Sequence, residues 1–286
     1  MIQSMTGFGK ASLQLPTKKI TVEIKSLNSK GLDLNTRMPS VFREMELGLR
    51  NQISQRLERG KVDFSLYVEV TGEETTSKIN VPIVKGYINQ MKAVIPNADE
   101  TELMKMAVRM PDALKTERDE IDENEWKQIQ TVIDEALENI ANFRKDEGAS
   151  LEKEFQLRIS NINNLMNEAV SYDAERVETV KTRLRTALDE LKVNVDENRF
   201  EQELIFYLEK YDITEEKVRL GNHLNYFLET LNGTEANGRK LGFITQEMGR
   251  EINTMGSKSN HSEMQKLVVM MKDELEKIKE QVLNVL

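Results

Sequence analysis

The spacing of apolar residues changes once along this chain of 286 residues, near residue 75, from a period of two to a period near 3.6. Before the change, Ile20, Val22, Ile24 and Ser26 alternate with Thr21, Glu23 and Lys25, and Val62, Phe64, Leu66, Val68 and Val70 alternate with Asp63, Ser65, Tyr67 and Glu69. Such alternation puts one set on a buried face and the other in water, which predicts strands. Pro16-Thr-Lys-Lys19 separates Lys10–Leu15 from Ile20–Ser26 as a hairpin turn would. Pro39 opens a helix running to about Leu57, with Val41, Met45, Leu49, Ile53 and Leu57 as its buried stripe and Arg59-Gly60 as a left-handed C-cap.

After the change nearly everything reads as helix, over approximately 81–95, 99–109, 122–170, 174–192, 198–210, 214–231, 237–255 and 261–285. In the last, Met264, Met271, Ile278 and Val285 recur every seven residues, interleaved with Val268, Leu275 and Val282, a seam that needs another long helix to lie against. Asn260-His-Ser-Glu263 fits a capping box at its start. Gly72-Glu-Glu-Thr-Thr-Ser-Lys78 is a polar link. The expected fold is therefore α+β: a small, basic N-terminal α+β domain over residues 1–72, then a mostly helical body over 73–286 built from long helices.

Composition narrows the function classes. With no cysteine, disulfides and thiolate metal sites are excluded, which fits a reducing compartment. No basic leader followed by an apolar run is visible, and no apolar stretch reaches the ~18–20 residues of a spanning helix, so a cytoplasmic protein without a membrane partner is expected. The net charge of −9 is unevenly spread. Residues 1–70 hold eleven Lys/Arg against seven Asp/Glu, and the remainder holds twenty-nine against forty-two. A basic part on an acidic body can focus a polyanion locally, although uneven surface scatter accounts for the same counts.

The segment from Gly238 to Asn260 carries most of the chemistry. Leu241, Ile244, Thr245, Met248, Ile252 and Met255 line one helix face, while Glu247, Arg250, Glu251 and Thr254 fall on another, with Gln246 and Asn253 beside Arg250. Solvated faces usually carry long Lys and Glu chosen for solubility. Here the polar groups are ones that hydrogen-bond, bind phosphate or hold a metal.

Met1-Ile-Gln-Ser-Met-Thr-Gly-Phe-Gly-Lys10, Ser26–Pro39, Arg59-Gly-Lys-Val62, Arg144-Lys-Asp-Glu-Gly148, Glu197–Leu204, Asp212-Ile-Thr-Glu-Glu216, Arg219-Leu-Gly-Asn-His223 and the segment through Ser257-Lys258-Ser259 resemble the bacterial YicC/YloC family over essentially the whole chain. The resemblance implies a cytoplasmic, metal-assisted endoribonuclease that forms a homo-oligomer, expected to be hexameric, and encloses structured RNA. One departure stands out. Many members carry Asn-His-Arg where this chain has Asn28-Ser29-Lys30, which moves attention for the chemistry to the C-terminal half.

Within that frame, Glu247 and Glu251, one helical turn apart, are candidates to share Mg²⁺ or Mn²⁺, with Arg250 on the phosphate. Lys258, in a Gly-Ser-Lys-Ser loop before a helix N-terminus, reads as an anion contact, and Arg219 and Asn253 as further RNA contacts. Asn28, Lys30 and Arg37 are read as contacts to the RNA backbone. His223, at the edge of an apolar stripe of Leu220, Leu224, Phe227 and Leu231, is either a proton carrier or a histidine hydrogen-bonded at a helix contact. His261 reads as structural. Aromatic content is low and no strand pairs Phe or Tyr with Arg or Lys in the manner of an RNA-recognition sheet, so shape recognition of folded RNA is expected over base stacking. Gly7-Phe8-Gly9 lacks the lysine and setting of a nucleotide loop. Three readings remain: an endoribonuclease, an RNA-binding adaptor without chemistry of its own, and a helical scaffold.

Overall fold

The computed structural model describes residues 2–71, 78–115, 123–190, 196–233 and 238–286. Most of the polar link expected after Thr71 therefore lies outside the described residues. Strands β1 (Gly7–Gln14), β2 (Lys18–Leu27), β3 (Leu32–Arg37) and β4 (Gly60–Val70) form one sheet in the order β1-β2-β4-β3. β1–β2 and β2–β4 are antiparallel, while β3 runs parallel to β4 across the connection that holds α1 (Glu46–Arg56). The fold is α+β, a small sheet unit followed by a helical body.

Three local expectations need correcting in this region. β3 was not anticipated, although Leu32, Leu34 and Thr36 alternate with Asp33, Asn35 and Arg37. The segment after Pro39 opens as a tighter 3₁₀ turn, Ser40–Met45, which turns Phe42 inward and leaves Val41 exposed. The helix then ends at Arg56 with Leu57 extended, so Gly60 is no C-cap. It opens β4 at φ +128°, where a Cβ would come within 2.7 Å of Ser26 Oγ.

Beyond the sheet, the short strands β5 (Lys78–Ile79) and β6 (Leu114–Lys115) pair, and α2 (Val81–Val94) and α3 (Glu100–Ala107) close a small apolar cluster of Val84, Ala107 and Ala113. Next comes α4 (Glu123–Ser171), 49 residues and about 73 Å of helix. Its first half lays Ile129, Val132, Ile133, Ala136 and Ile140 on the sheet's inner face. β1 crosses it so closely that a Cβ on Gly9 would stand 2.2 Å from the Ala136 carbonyl oxygen. The apolar cluster around the sheet thus draws in residues well beyond position 72.

The second half of α4 builds a different core. α5 (Asp173–Glu190) and α6 (Glu197–Tyr211) follow it, then α7 (Thr214–Leu231), α8 (Gly238–Lys258) and α9 (Ser262–Val282) pack with Leu151, Phe155, Ile159, Ile162 and Met166. Every residue of the seven-residue seam from Met264 to Val285 is buried, and its partners are α4 and α8 of the same chain. The seam therefore needs no second copy. The cap of α9 is His261, whose Nδ1 accepts from the Met264 amide at 3.4 Å, rather than the Asn260 box.

The two cores meet at Arg144 in the middle of α4. Its guanidinium is 2% exposed and donates to the carbonyls of Met5 (3.1 Å) and Arg59 (3.2 Å) and to Ser26 Oγ. Burial pushes its pKa below the usual arginine value. Both chain ends close over this point: Ser4 N donates to Arg144 O, Met5 N to Asn284 O and Leu286 N to Gln3 O.

Arg144→Ala should lower unfolding stability by about 3 kcal/mol or more, because it strands buried acceptors and leaves a void. Urea denaturation with an unchanged midpoint would remove this junction from the account. On α9, burial alone would raise the Glu274 pKa, but hydrogen bonds from Lys277, Asn161 and Arg158 outweigh it and bring the value from 4.5 to about 2. A depressed carboxylate stabilises the fold above its unfolded pKa and loses that contribution as pH falls through the folded one. The stability difference between wild type and Glu274→Gln should therefore be flat above about pH 5 and shrink from about 4.5 to about 2. A difference independent of pH across that window would refute the assignment.

Candidate functional site

α8 turns Leu241, Ile244, Thr245, Met248, Ile252 and Met255 into the core, and Gln246, Arg250 and Asn253 into solvent. Between these faces stand Glu247, partly exposed, and Glu251, only 9% exposed. Arg250 donates to Glu247 Oε1 at 2.7 Å while its own side chain stays largely in water. An exposed intrahelical pair of this kind adds little stability, so a phosphate can compete for the guanidinium at small cost.

α7 lies antiparallel to α8, tied at one end by Lys258 Nζ to Glu216 Oε1 (2.8 Å) and at the other by Lys240 over the Tyr226 ring (4.7 Å). Arg219 and His223 fall between Glu216 and Tyr226 and so share the levels of the middle of α8, where Glu247, Arg250 and Glu251 stand. Leu220, Leu224, Phe227 and Leu231 anchor α7, with Phe227 edge-on to Phe155. Arg219 pairs with Glu215 at 2.5 Å and is more than half exposed. His223 is half-buried and has no hydrogen-bond or ion-pair partner among the described residues.

The remaining expected contacts sit elsewhere. Lys258 is the last residue of α8 rather than part of a loop, and its charge is spent on Glu216. Arg176, itself buried, donates to the Lys258 and Tyr211 carbonyls and to Asp173, sealing the ends of α6 and α8. Asp212, just before α7, is held below the usual carboxylate range chiefly by the Thr214 hydroxyl and amide. Asn28 donates to the Leu283 carbonyl at 2.6 Å, stitching the sheet unit to the end of α9. Lys30 is exposed in the loop between β2 and β3, and Arg37 is exposed on β3. Asn253 is exposed on α8. His261 is structural: besides capping α9 it stacks on Tyr172 at 5.3 Å.

Sequence reasoning passed over Glu216. It is buried, its Oε2 has no hydrogen-bond partner, and it precedes Arg219 by three residues and His223 by seven on the same side of α7. The acidic end of the segment Asp212–Glu216 was visible, but a buried acid one turn into a helix has no periodic signature.

No group of three or more His, Asp or Glu side chains is placed to hold a metal among the described residues. Glu247 and Glu251 offer two carboxylates one turn apart, and Mg²⁺ is commonly held by one or two carboxylates together with water and substrate phosphate. These two carboxylates, one paired with Arg250 and the other nearly buried, are the ones such a site would use, with water and substrate supplying the remaining ligands. No described helix is long and apolar enough to cross a membrane.

Residues 2–153 match the family model described as endoribonuclease YicC-like, N-terminal region, and residues 166–286 match that described as endoribonuclease YicC-like, C-terminal. The chain is 33% identical over 293 residues to a probable endoribonuclease YicC of Clostridioides difficile (strain 630), with 100% of both chains covered. It is 29% identical over 287 residues to a probable endoribonuclease YicC of Haemophilus influenzae, with 99% of each covered.

Proposed function

This chain belongs to the YicC-like endoribonuclease family, and on that premise we propose that it is an endoribonuclease cleaving phosphodiester bonds of structured RNA at the face shared by α7 and α8. The observation that carries the placement is His223: half-buried, without a partner, and level with the Glu247–Arg250–Glu251 turn.

Each group has a distinct task. Arg250, released from Glu247, neutralises the negative charge that grows on the phosphoryl oxygens. Arg219 binds a neighbouring phosphate and fixes register. His223 moves a proton to or from the reacting oxygen. Glu247 and Glu251 would hold a divalent ion, which when bound polarises the phosphate or lowers the pKa of water. Asn253 and Lys30 offer further contacts to the strand. We read Lys258 and Asn28 as holding the site's scaffold in place through Glu216 and Leu283.

The same reading places the chain in a ring-like homo-oligomer. Support comes from large apolar side chains left in solvent, such as Ile205 and Phe206 on α6 and Val269 and Met270 on α9.

Glu247→Gln keeps size and helix propensity but removes the charge that a cation needs. Cleavage of a labelled hairpin should fall by about two orders of magnitude or more while binding persists. His223→Ala should lower the rate and flatten its dependence on pH. Full cleavage by both variants would discard this site, and RNA binding by wild type with no cleavage under any condition would favour the adaptor. For the assembly, light scattering at micromolar protein should give a mass several times the 33.0 kDa chain. A monomer there would contradict the ring.

A further inference from the structure

The outer face of the N-terminal sheet plays no part in the α7/α8 site, and it carries an arrangement visible only once the strands are paired. α1 and α4 cover the inner face. On the outer one, the register sets Phe8 of β1 beside Lys25 of β2 and Asp63 of β4, and the next outward row sets Glu23, Ser65 and Arg37 side by side. Tyr67 stands one row further along β4. Phe8 is 40% and Tyr67 54% exposed, and the Lys25 ammonium lies 5.8 Å from the Phe8 ring centre. Lys25, Arg37, Ser65 and Tyr67 help line a shallow depression of about 180 Å³.

This face offers a cation to an anion. Glu23 is held between Lys10 (2.9 Å) and Lys25 (3.6 Å), while Asp63 accepts from the neutral Asn35 amide at 2.9 Å and keeps its own charge. Arg37 has no hydrogen-bond or ion-pair partner among the described residues. Residues 1–70 are basic while the rest of the chain is acidic, which steers a polyanion to this end. A protein partner would look for contiguous apolar area, but here charged side chains separate the two rings.

We propose that this face binds an unpaired stretch of RNA, with bases stacked on Phe8 and Tyr67 and the intervening phosphates on Lys25 and Arg37. Strand spacing and rise put the two rings about 16 Å apart, several times the roughly 3.4 Å between stacked neighbours. They therefore take non-adjacent bases, with the basic pair between them. Aromatic stacking tolerates any sequence because every base has a π face. A hairpin with a single-stranded flank would then be held at two points, its flank here and its scissile bond at α7/α8. The proposal rests on the RNA reading above, yet it can fail separately.

The test is titration of the full chain with a ten-nucleotide unpaired RNA carrying 2-aminopurine, whose fluorescence falls on stacking. Wild type and Glu247→Gln should bind it alike. Phe8→Leu and Tyr67→Leu should each weaken binding about tenfold and reduce the quench. Arg37→Ala, at an exposed position, should lower the slope of log affinity against log salt by about 0.7. Affinities within twofold of wild type for both aromatic variants, or an unchanged salt slope, would overturn the proposal. Ring-dependent binding by a protein that cleaves nothing would leave this face standing and fell only the nuclease reading.

Discussion

One helix has to serve two cores, and the rest of the architecture follows from that. The first half of α4 closes the inner face of a four-stranded sheet, and its second half is a wall of the α7–α9 bundle. Where the duties change, Arg144 is buried without a carboxylate among its described partners and answers backbone carbonyls from β1's approach and from the turn into β4. Such a guanidinium costs desolvation that its hydrogen bonds must offset, so the segments it touches are held to one arrangement. Both chain ends and Asn28 are fastened within the same region. The sheet's outer face and the α7/α8 face are therefore parts of one connected body.

Much of this was legible in the sequence, for identifiable reasons. Helices from α2 to α9 announce themselves because burial on one side imposes a 3.6 period, and the long α4 shows it for some thirteen turns. β3 was missed because its alternation rests on only Leu32, Leu34 and Thr36, half-buried at the sheet's edge. Phe42 replaced Val41 because periodic reading assumes an α-helix where the chain begins with a 3₁₀ turn. The α9 seam was read correctly as a seam, but a period gives no address for its partner. A complementary signal lay unused in α8, where Gly242, Gly249 and Gly256 recur every seven residues and face Val282, Leu275 and Val268.

The geometry of the candidate site was legible to a similar depth. The polar face of α8 follows from angles alone, and its Glu247–Arg250 contact follows from spacing. What needed three dimensions was the company of that face: the antiparallel α7, the solitary His223, and the loss of Lys258 to Glu216. The Phe8–Lys25 pair joins residues on different strands, so no reading along one strand could find it. In the picture we propose, a basic sheet captures RNA and an arginine–carboxylate–histidine face on the acidic body acts on it.

The most direct test of that picture is end-group analysis of a labelled hairpin RNA incubated with wild-type protein, with and without excess EDTA. The account predicts that EDTA stops cleavage and that added Mg²⁺ or Mn²⁺ restores it, with ends left by attack of water. Undiminished cleavage in EDTA, yielding a 2′,3′-cyclic phosphate, would contradict the role given to Glu247 and Glu251 and leave His223 and Arg250 to act on the RNA's own 2′-hydroxyl.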